Sequence, residues 1–417
     1  AYMRSIKPTT QFEGEFTPPG DKSVTHRALM LNAVANGEAI VTNALTGKDC
    51  LSTANCMREL GAEIELDGTT FRIRGKQDLI SGKTLDCGNS GTTMRLLTGL
   101  ISGKGVEATL CGDGSLSLRP MERVAEPLRV LGASIQTTDG KPPITISKSS
   151  LIGKEIGLTI PSAQVKSAIL LAGMSADGET TVTEPIKSRD HTERMLKAMG
   201  ADVAVDGNSV SIKKSALTAC NIEVPADISS AAYFMALGAL KGKTLSKNVG
   251  VNPTRTGILR AFDKLGVKYT LLNKRVCCGE DIADILVEKS HLKGIEIDSA
   301  DVPSMIDELP LIALLCAFAD GESRIHGAKE LRVKESDRIL ATAELINALG
   351  GECIASDDGF IIRGKKQLLG GAVNSYFDHR IAMTGAVGLI ASKHGGSILG
   401  AECCAISFPD FFKELER

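Results

Sequence analysis

The 417-residue sequence predicts a mixed α/β (α+β) fold built from six copies of one βαβαββ-like unit, and two recurring patterns predict it. The first is a small or polar cluster that leads into an apolar helical stretch, a Gly and a short strand-like run. Its copies start near Gly20, Gly88, Pro161, Pro225, Pro303 and Asp378. The second is a helical pattern between those copies that keeps ending alike, at Leu60-Gly61, Leu131-Gly132, Met199-Gly200, Leu265-Gly266 and Leu349-Gly350. Successive copies begin roughly 64–78 residues apart, too long for a solenoid repeat but enough for one compact supersecondary unit.

The elements follow in order. Pro19-Gly20-Asp21-Lys22-Ser23 precedes a helix through Ala28-Leu29-Met30-Leu31, Asn36-Gly37 ends it, and Ala39-Ile40-Val41 reads as a strand. Leu51 to Leu60 places apolar residues at helical spacing, and Phe71-Arg72-Ile73-Arg74 alternates as a strand. The third copy reads Pro161-Ser162-Ala163-Gln164, an apolar stretch from Ala168 to Ala172, Asp177-Gly178 and Thr180-Thr181-Val182. The fourth and fifth close at Lys241-Gly242 and Asp320-Gly321. Arg338 to Leu349 repeats the helical spacing, and Phe360-Ile361-Ile362-Arg363 the strand. Phe16-Thr17-Pro18-Pro19 is a stiff entry, because Pro restricts its own φ and the residue before it. Val224-Pro225-Ala226-Asp227 is its counterpart three copies later. The expected domains are residues 17–227 with three copies, and residues 1–16 together with 228–417 with the other three. The chain then crosses twice between lobes, with the active cleft between them.

The bulk numbers narrow the function. The net charge of −2 with 24% charged residues gives no electrostatic footprint for nucleic acid, and 4% aromatics with no Trp argues against base stacking. Eleven Cys without a C-x-x-C show no metal spacing and read as small buried thiols of a reducing compartment. No apolar run reaches membrane-spanning length, and no signal-peptide pattern opens the chain, so a cytoplasmic location is expected.

Chemistry concentrates at the starts of the first helices. A helix N-terminus carries unpaired N–H groups and partial positive charge, a ready anion site. Here those starts also carry Lys22, Ser23, Arg27, Asn89, Thr92, Arg95, Ser162, Gln164, Lys166, His379 and Arg380. Ordinary capping explains the small residues at any one start. It does not explain the set, because long cations in a first turn oppose the dipole. The stretch Arg332 to Arg338 carries five charges and, alone, would read as a solvated face.

Four segments together carry a resemblance: Pro19-Gly20-Asp21-Lys22-Ser23-Val24-Thr25-His26-Arg27, Cys87-Gly88-Asn89-Ser90-Gly91-Thr92-Thr93-Met94-Arg95, Leu331-Arg332-Val333-Lys334-Glu335-Ser336-Asp337-Arg338 and Asp378-His379-Arg380. In this order, over essentially the whole chain, the sequence resembles the 3-phosphoshikimate 1-carboxyvinyltransferase (EPSP synthase) family. Asp21, Ser162-Ala163-Gln164 and Asp307-Glu308 resemble its class II bacterial branch. The resemblance implies the two-lobed enolpyruvyl transferase fold, three repeats per lobe with pseudo-threefold symmetry. It implies that the 5-hydroxyl of shikimate 3-phosphate adds to C2 of phosphoenolpyruvate while C3 is protonated, and that the ketal then loses phosphate. No cofactor, metal or covalent nucleophile is required.

The same resemblance implies the roles. Lys22 lies between the substrates, and Lys22, Asp307 and Glu335 are the catalytic candidates, with Asp307 orienting the attacking hydroxyl and Glu335 as acid and base. Ser23, Arg27, Ser162, Gln164, Arg189, Asp307 and Lys334 are implied for shikimate 3-phosphate. Asn89, Gly91, Arg119, Gln164, Arg338 and Arg380 are implied for phosphoenolpyruvate, the last two as a guanidinium fork on its carboxylate. Glu308 and Ala163 flank these sets. For any single Arg or Lys the alternative reading is a surface charge. The substrates are the implied partners, with glyphosate as inhibitor in the phosphoenolpyruvate site; no nucleic acid or membrane partner is expected, and the chain is expected to be a monomer. The sequence departs from many members at Ile406, where a Lys precedes the Phe-Pro-Asp segment, and at Ala163, where a second Ser stands.

Three alternatives remain to be weighed. A UDP-N-acetylglucosamine enolpyruvyl transferase carries a Cys five residues before an Arg-Pro pair, where this chain has Gly114 before Arg119-Pro120. An RNA 3′-phosphate cyclase needs a nucleotide site and a basic face. A non-catalytic repeat scaffold leaves the cations at helix starts unexplained.

Overall fold

The computed structural model of the chain describes residues 2–417. They form two compact units. The first is Gly20–Pro225 with Val276–Glu280; the second is the chain up to Pro19 with Ala226–Arg275 and Asp281–Arg417.

In the first unit the helices are α1 (Lys22–Ala33), α2 (Lys48–Glu59), α3 (Gly91–Lys104), α4 (Glu122–Val130), α5 (Ala163–Gly173) and α6 (His191–Ala198). Helices α1, α3 and α5 are buried almost all round, while α2, α4 and α6 bury one face. The second copy shows the unit whole: strand Lys83–Asp86, α3, strand Ala108–Cys111, α4, then the hairpin Ser134–Thr138 and Lys141–Ser147. Its sheet joins one parallel pair to one antiparallel hairpin. Lys141–Ser147 alternates exposed and buried residues, as a sheet with one wet face requires. The first copy borrows its leading strand from the far end of the unit, where Ile222–Glu223 pairs in parallel with Val41-Thr42. At the crossing of α3 and α5 the backbones nearly touch. A methyl on Gly99 would stand 2.1 Å from the Ala168 carbonyl oxygen.

The second unit holds α7 (Ile228–Lys241), α8 (Gly257–Leu265), α9 (Leu309–Ala317), α10 (Arg338–Ala348), α11 (His379–Ala391) and α12 (Phe411–Leu415). Its first sheet borrows Phe12–Phe16, which pairs in parallel with Gly242–Gly250. Its last copy is incomplete. Met3–Ile6 runs antiparallel to Gly396–Leu399 where the other copies have a hairpin. The chain then ends in the turn Ala401–Ile406 and α12, whose Phe411 packs with Phe408 against Tyr233 and Phe234 of α7.

The recurring Leu-Gly and Met-Gly pairs are helix stops. Gly61, Gly132, Gly200, Gly266 and Gly350 sit at φ 113°, 108°, 100°, 84° and 90°, where side chains are disfavoured. Lys241-Gly242 closes the first helix of the fourth copy as expected, without the left-handed stop of those glycines. Gly242 is extended, at φ 167°, and α7 passes straight into the strand Gly242–Gly250. The domain reading of 228–417 as one body also needs correction at Val276–Glu280, which packs with the first unit. Cys277 and Cys278 lie against that unit's apolar core, and the Glu280 carboxylate lies 2.7 Å from His191 Nδ1 in its interior. No helix among the described residues is long and apolar enough to cross a membrane.

Candidate active site

In the first unit the candidate residues gather at three helix starts. Asp21 caps α1 by accepting the N–H of Val24 at 2.9 Å. Lys22, half exposed, reaches Asp49 Oδ2 at 2.6 Å on the first turn of α2. Arg27 lies one turn deeper and is buried. Its Nε donates to Thr192 Oγ1 at 2.7 Å, Nη1 to the Ser23 carbonyl at 3.1 Å and Nη2 to Ser167 Oγ at 3.1 Å. Burial pulls Arg27 down to about 10, Asp21, Glu193 and Glu280 oppose that, and Arg189 adds repulsion. It remains a cation at neutral pH beside a second one.

Helix α3 starts at Gly91. Ser90 caps it by accepting the N–H of Thr93 at 3.1 Å. A buried hydroxyl chain ties this start to α1: Thr93 Oγ1 donates to Ser90 Oγ at 2.7 Å and lies 2.7 Å from Thr53 Oγ1, which lies 2.8 Å from His26 Nδ1. Burial, then Lys22 and Arg27, push His26 down to about 3, so it is neutral. A Cβ on Gly91 would stand 2.6 Å from Arg95 Nη1 and 3.1 Å from Arg119 Nη1. Arg95 Nη1 donates to Gln164 Oε1 at 2.9 Å, and Gln164 Nε2 to Thr92 Oγ1 at 3.0 Å. Burial, then Arg119 and Arg123, hold Arg95 below the usual guanidinium range. Guanidiniums converging on a helix start, with no side chain in the way, make a pocket for an anion. Asn89 turns its amide to both oxygens of Asp113, at 3.0 and 2.9 Å. Ser162 caps α5, whose first residues are Ala163 and Gln164.

In the second unit a carboxylate anchors each arginine of the predicted fork. Arg338 is buried, and its Nε donates to Asp378 Oδ2 at 2.8 Å. Its Nη2 donates to Asp378 Oδ1 at 3.2 Å and also to Glu335 Oε2. Its Nη1 stands 3.6 Å from Asp307 Oδ1. Asp378 caps α11, accepting the N–H of Arg380 at 3.0 Å and the Ser336 hydroxyl at 2.7 Å. Burial disfavours its charge, yet Arg338 and Ser336 hold it below the usual carboxylate range. Arg380 Nη2 lies 3.8 Å from Asp227 Oδ2, and its Nη1 3.5 Å from Tyr233 Oη. Burial works against the Arg380 charge, and Tyr233, Asp227 and Asp307 together outweigh it. Glu308 accepts the Ser229 hydroxyl at 3.1 Å; burial, then Asp307, push it up to about 7.

The structure thus joins Asp307, Glu335, Arg338 and Arg380 in one network around Asp378 and Asp227. Lys334 turns elsewhere, with its ammonium 3.4 Å from Glu330. Ile406 is 71% exposed in its turn. Among the described residues, Glu335, Asp378 and His379 are close enough to hold a cation, but Arg338 already engages both carboxylates. The residues left out of the predicted site are Arg95 beside Gly91 and Arg123 whose charge acts on it, Thr192 and Ser167 under Arg27, and Asp227 and Tyr233 under Arg380. A signal existed for two of them: Arg95 is one of the helix-start cations, and Asp227 repeats a capping pattern. Asp21, Asp227 and Asp378 cap the first helices of copies one, four and six, each accepting a backbone N–H.

The family model described as EPSP synthase (3-phosphoshikimate 1-carboxyvinyltransferase) matches residues 6–415. A 3-phosphoshikimate 1-carboxyvinyltransferase of Desulforudis audaxviator is 46% identical over 415 residues, 97% of each chain. One of Thermoanaerobacter sp. is 44% identical over 417 residues, 99% of each. The solved structure of an EPSP synthase from Acinetobacter baumannii matches with a TM-score of 0.95 at 44% identity, covering 99% of this chain and 97% of that one.

Proposed function

The chain belongs to the EPSP synthase (3-phosphoshikimate 1-carboxyvinyltransferase) family, and we propose that its transfer of the enolpyruvyl group from phosphoenolpyruvate to the 5-hydroxyl of shikimate 3-phosphate runs on the helix-start residues described above. This is a step of the shikimate pathway, towards chorismate and the aromatic amino acids. The 5-hydroxyl adds to C2 while C3 takes a proton and becomes a methyl; the tetrahedral ketal then loses one proton from C3 together with phosphate.

The observation that carries the residue assignment is the anchoring of Arg338 and Arg380 on two helix-capping aspartates. A guanidinium fixed along one edge, as Arg338 is on Asp378, presents its remaining N–H groups in a set direction, as a planar carboxylate requires. Arg380 is held more loosely between Asp227 and Tyr233. We assign that pair to the carboxylate of phosphoenolpyruvate, and Lys22, Asn89, Gly91, Arg119 and Gln164 to its other contacts. Ser23, Arg27, Ser162, Gln164, Arg189, Asp307 and Lys334 go to shikimate 3-phosphate, with Lys22 between the substrates. Asp307 orients the attacking hydroxyl. Glu335 gives a proton to C3 and takes one back, and Arg338 fixes its carboxylate. Glu308 and Ala163 border the site. The working form is a cytoplasmic monomer, with glyphosate competing for the phosphoenolpyruvate site and neither nucleic acid nor membrane as partner.

The test is phosphate release. It should require both shikimate 3-phosphate and phosphoenolpyruvate, and glyphosate should compete with the second. Release with UDP-N-acetylglucosamine as acceptor, or none with shikimate 3-phosphate, would overturn the reading.

A further inference from the structure

We infer that Glu184 is a positioning residue for shikimate 3-phosphate, tying together two ligand-bearing segments of the first unit. The inference rests on the proposed assignment of Ser162, Gln164 and Arg189 to that substrate. Glu184 follows the strand Glu179–Thr183, and its side chain is buried. Its Oε2 accepts the backbone N–H of Ser162 at 2.9 Å, at the cap of α5. Its Oε1 accepts the N–H of Ser188 at 3.2 Å and the Ser188 hydroxyl at 2.7 Å, one residue before Arg189. One carboxylate therefore spans the turn that carries Ser162-Ala163-Gln164 and the loop that carries Arg189.

That loop has no helix or strand between Glu184 and Asp190 to hold it. Its link to the α5 turn runs through Glu184, seconded by the buried Lys166. The Lys166 ammonium lies 3.1 Å from Glu184 Oε1, 2.9 Å from Glu193 Oε2 and 3.4 Å from the Ser188 carbonyl. The 2.9 Å contact with Glu193 is an ion pair; the Glu193 oxygens make no directional hydrogen bond. The two carboxylates are thus unequal partners of one lysine. Both balance its charge, but of the two only Glu184 bonds to the loops.

The inequality supplies the experiment. Glu184→Gln and Glu193→Gln each remove one negative charge from the same triad. Each leaves Lys166 one carboxylate, so neither strands a buried ion. The amide introduced by Glu184→Gln must turn its NH2 towards either the Ser162 N–H or the Ser188 N–H, setting donor against donor. Glu184→Gln is expected to raise the KM for shikimate 3-phosphate at least about tenfold, the scale of one charge-assisted hydrogen bond lost. The kcat and the KM for phosphoenolpyruvate should stay within about threefold on the same scale. Glu193→Gln should leave all three within about threefold. Ser188→Ala keeps every charge, removes one donor to Glu184, and should raise only the shikimate 3-phosphate KM. Equal effects of the Glu184 and Glu193 variants, or parallel loss of kcat and both KM values, would overturn the inference and show a structural role. An unchanged shikimate 3-phosphate KM in Glu184→Gln would overturn it too, while leaving the reaction assignment intact. Wild-type protein inert towards shikimate 3-phosphate overturns both.

Discussion

At the scale of single residues, the two fork arginines differ in how much of each guanidinium is already engaged. Arg338 places Nε and Nη2 on Asp378 and Nη2 on Glu335 as well, leaving Nη1 at 3.6 Å from Asp307. Arg380 makes only longer contacts, 3.8 Å to Asp227 and 3.5 Å to Tyr233. Lysine at either position keeps charge but loses the planar fork. Arg338→Lys should therefore cost stability first, on the order of 3 kcal/mol, because Asp378 is fully buried and would lose its paired donors. Arg380→Lys should leave the melting temperature close to wild type and raise the phosphoenolpyruvate KM on the order of tenfold, more than that for shikimate 3-phosphate. Equal rises for both substrates in Arg380→Lys would show the fork is misassigned. Glu335 supplies a separate test. Glu335→Gln keeps an amide oxygen for Arg338 Nη2 but no longer exchanges a proton. It should retain shikimate 3-phosphate binding in calorimetry while turnover falls on the order of a hundredfold; near-normal turnover would remove Glu335 as the acid–base group.

At the scale of elements, two glycines on α3 show how one substitution has two outcomes. At Gly91 a new methyl meets the ends of two long side chains, Arg95 at 2.6 Å and Arg119 at 3.1 Å, which can swing away. At Gly99 it meets the backbone of α5, with Ala168 oxygen at 2.1 Å and Ala168 Cα at 2.7 Å, so the helices must part. Gly99→Ala should cost roughly 1–3 kcal/mol and lower the melting temperature by several degrees. Gly91→Ala should leave the melting temperature nearly unchanged and weaken phosphoenolpyruvate and glyphosate instead, with the inhibition constant for glyphosate rising at least about tenfold. A large drop in melting temperature for Gly91→Ala, or none for Gly99→Ala, would reverse the argument. The contrast also shows what the sequence makes legible. The stops at Gly61, Gly132 and Gly350 are local φ requirements, so they can be read from one chain. The cations at helix starts can be read for the same reason. The borrowed strands Ile222–Glu223 and Phe12–Phe16 carry no local mark of their partners, because pairing across most of a unit is settled by packing. Val276–Glu280 escapes for the same reason: its place depends on His191 and the core it meets. Arg95 is visible as a helix-start cation, but its link to Gln164 joins two copies and exists only in three dimensions.

At the scale of the whole molecule, buried titratable groups set how stability follows pH, and they pull in opposite directions. His26 is held down to about 3 by burial and by Lys22 and Arg27, with Asp21 opposing, and His379 to about 4 by burial and by Arg380 and Arg338. Between those values and about 6.5, the ordinary histidine value, the unfolded chain takes up protons that the fold refuses. Stability from these two groups is complete above that value and is lost as pH falls through the window. Glu308 acts the other way. Burial and Asp307 raise it to about 7, so from the ordinary carboxylate range up to 7 the fold keeps a proton that the unfolded chain has released. Its contribution is complete at low pH and falls as pH rises. Two depressed histidines against one raised carboxyl leave a net gain in melting temperature from pH 4.5 towards 6.5, on the order of a few kcal/mol in stability. The variants separate the terms. His26→Asn, uncharged at every pH, should flatten that rise. Glu308→Gln should steepen it, because it deletes the opposing slope and keeps an acceptor for the Ser229 hydroxyl. Thermal melts at matched ionic strength check both, and a His26→Asn curve parallel to wild type would mean that His26 is not held neutral in the fold.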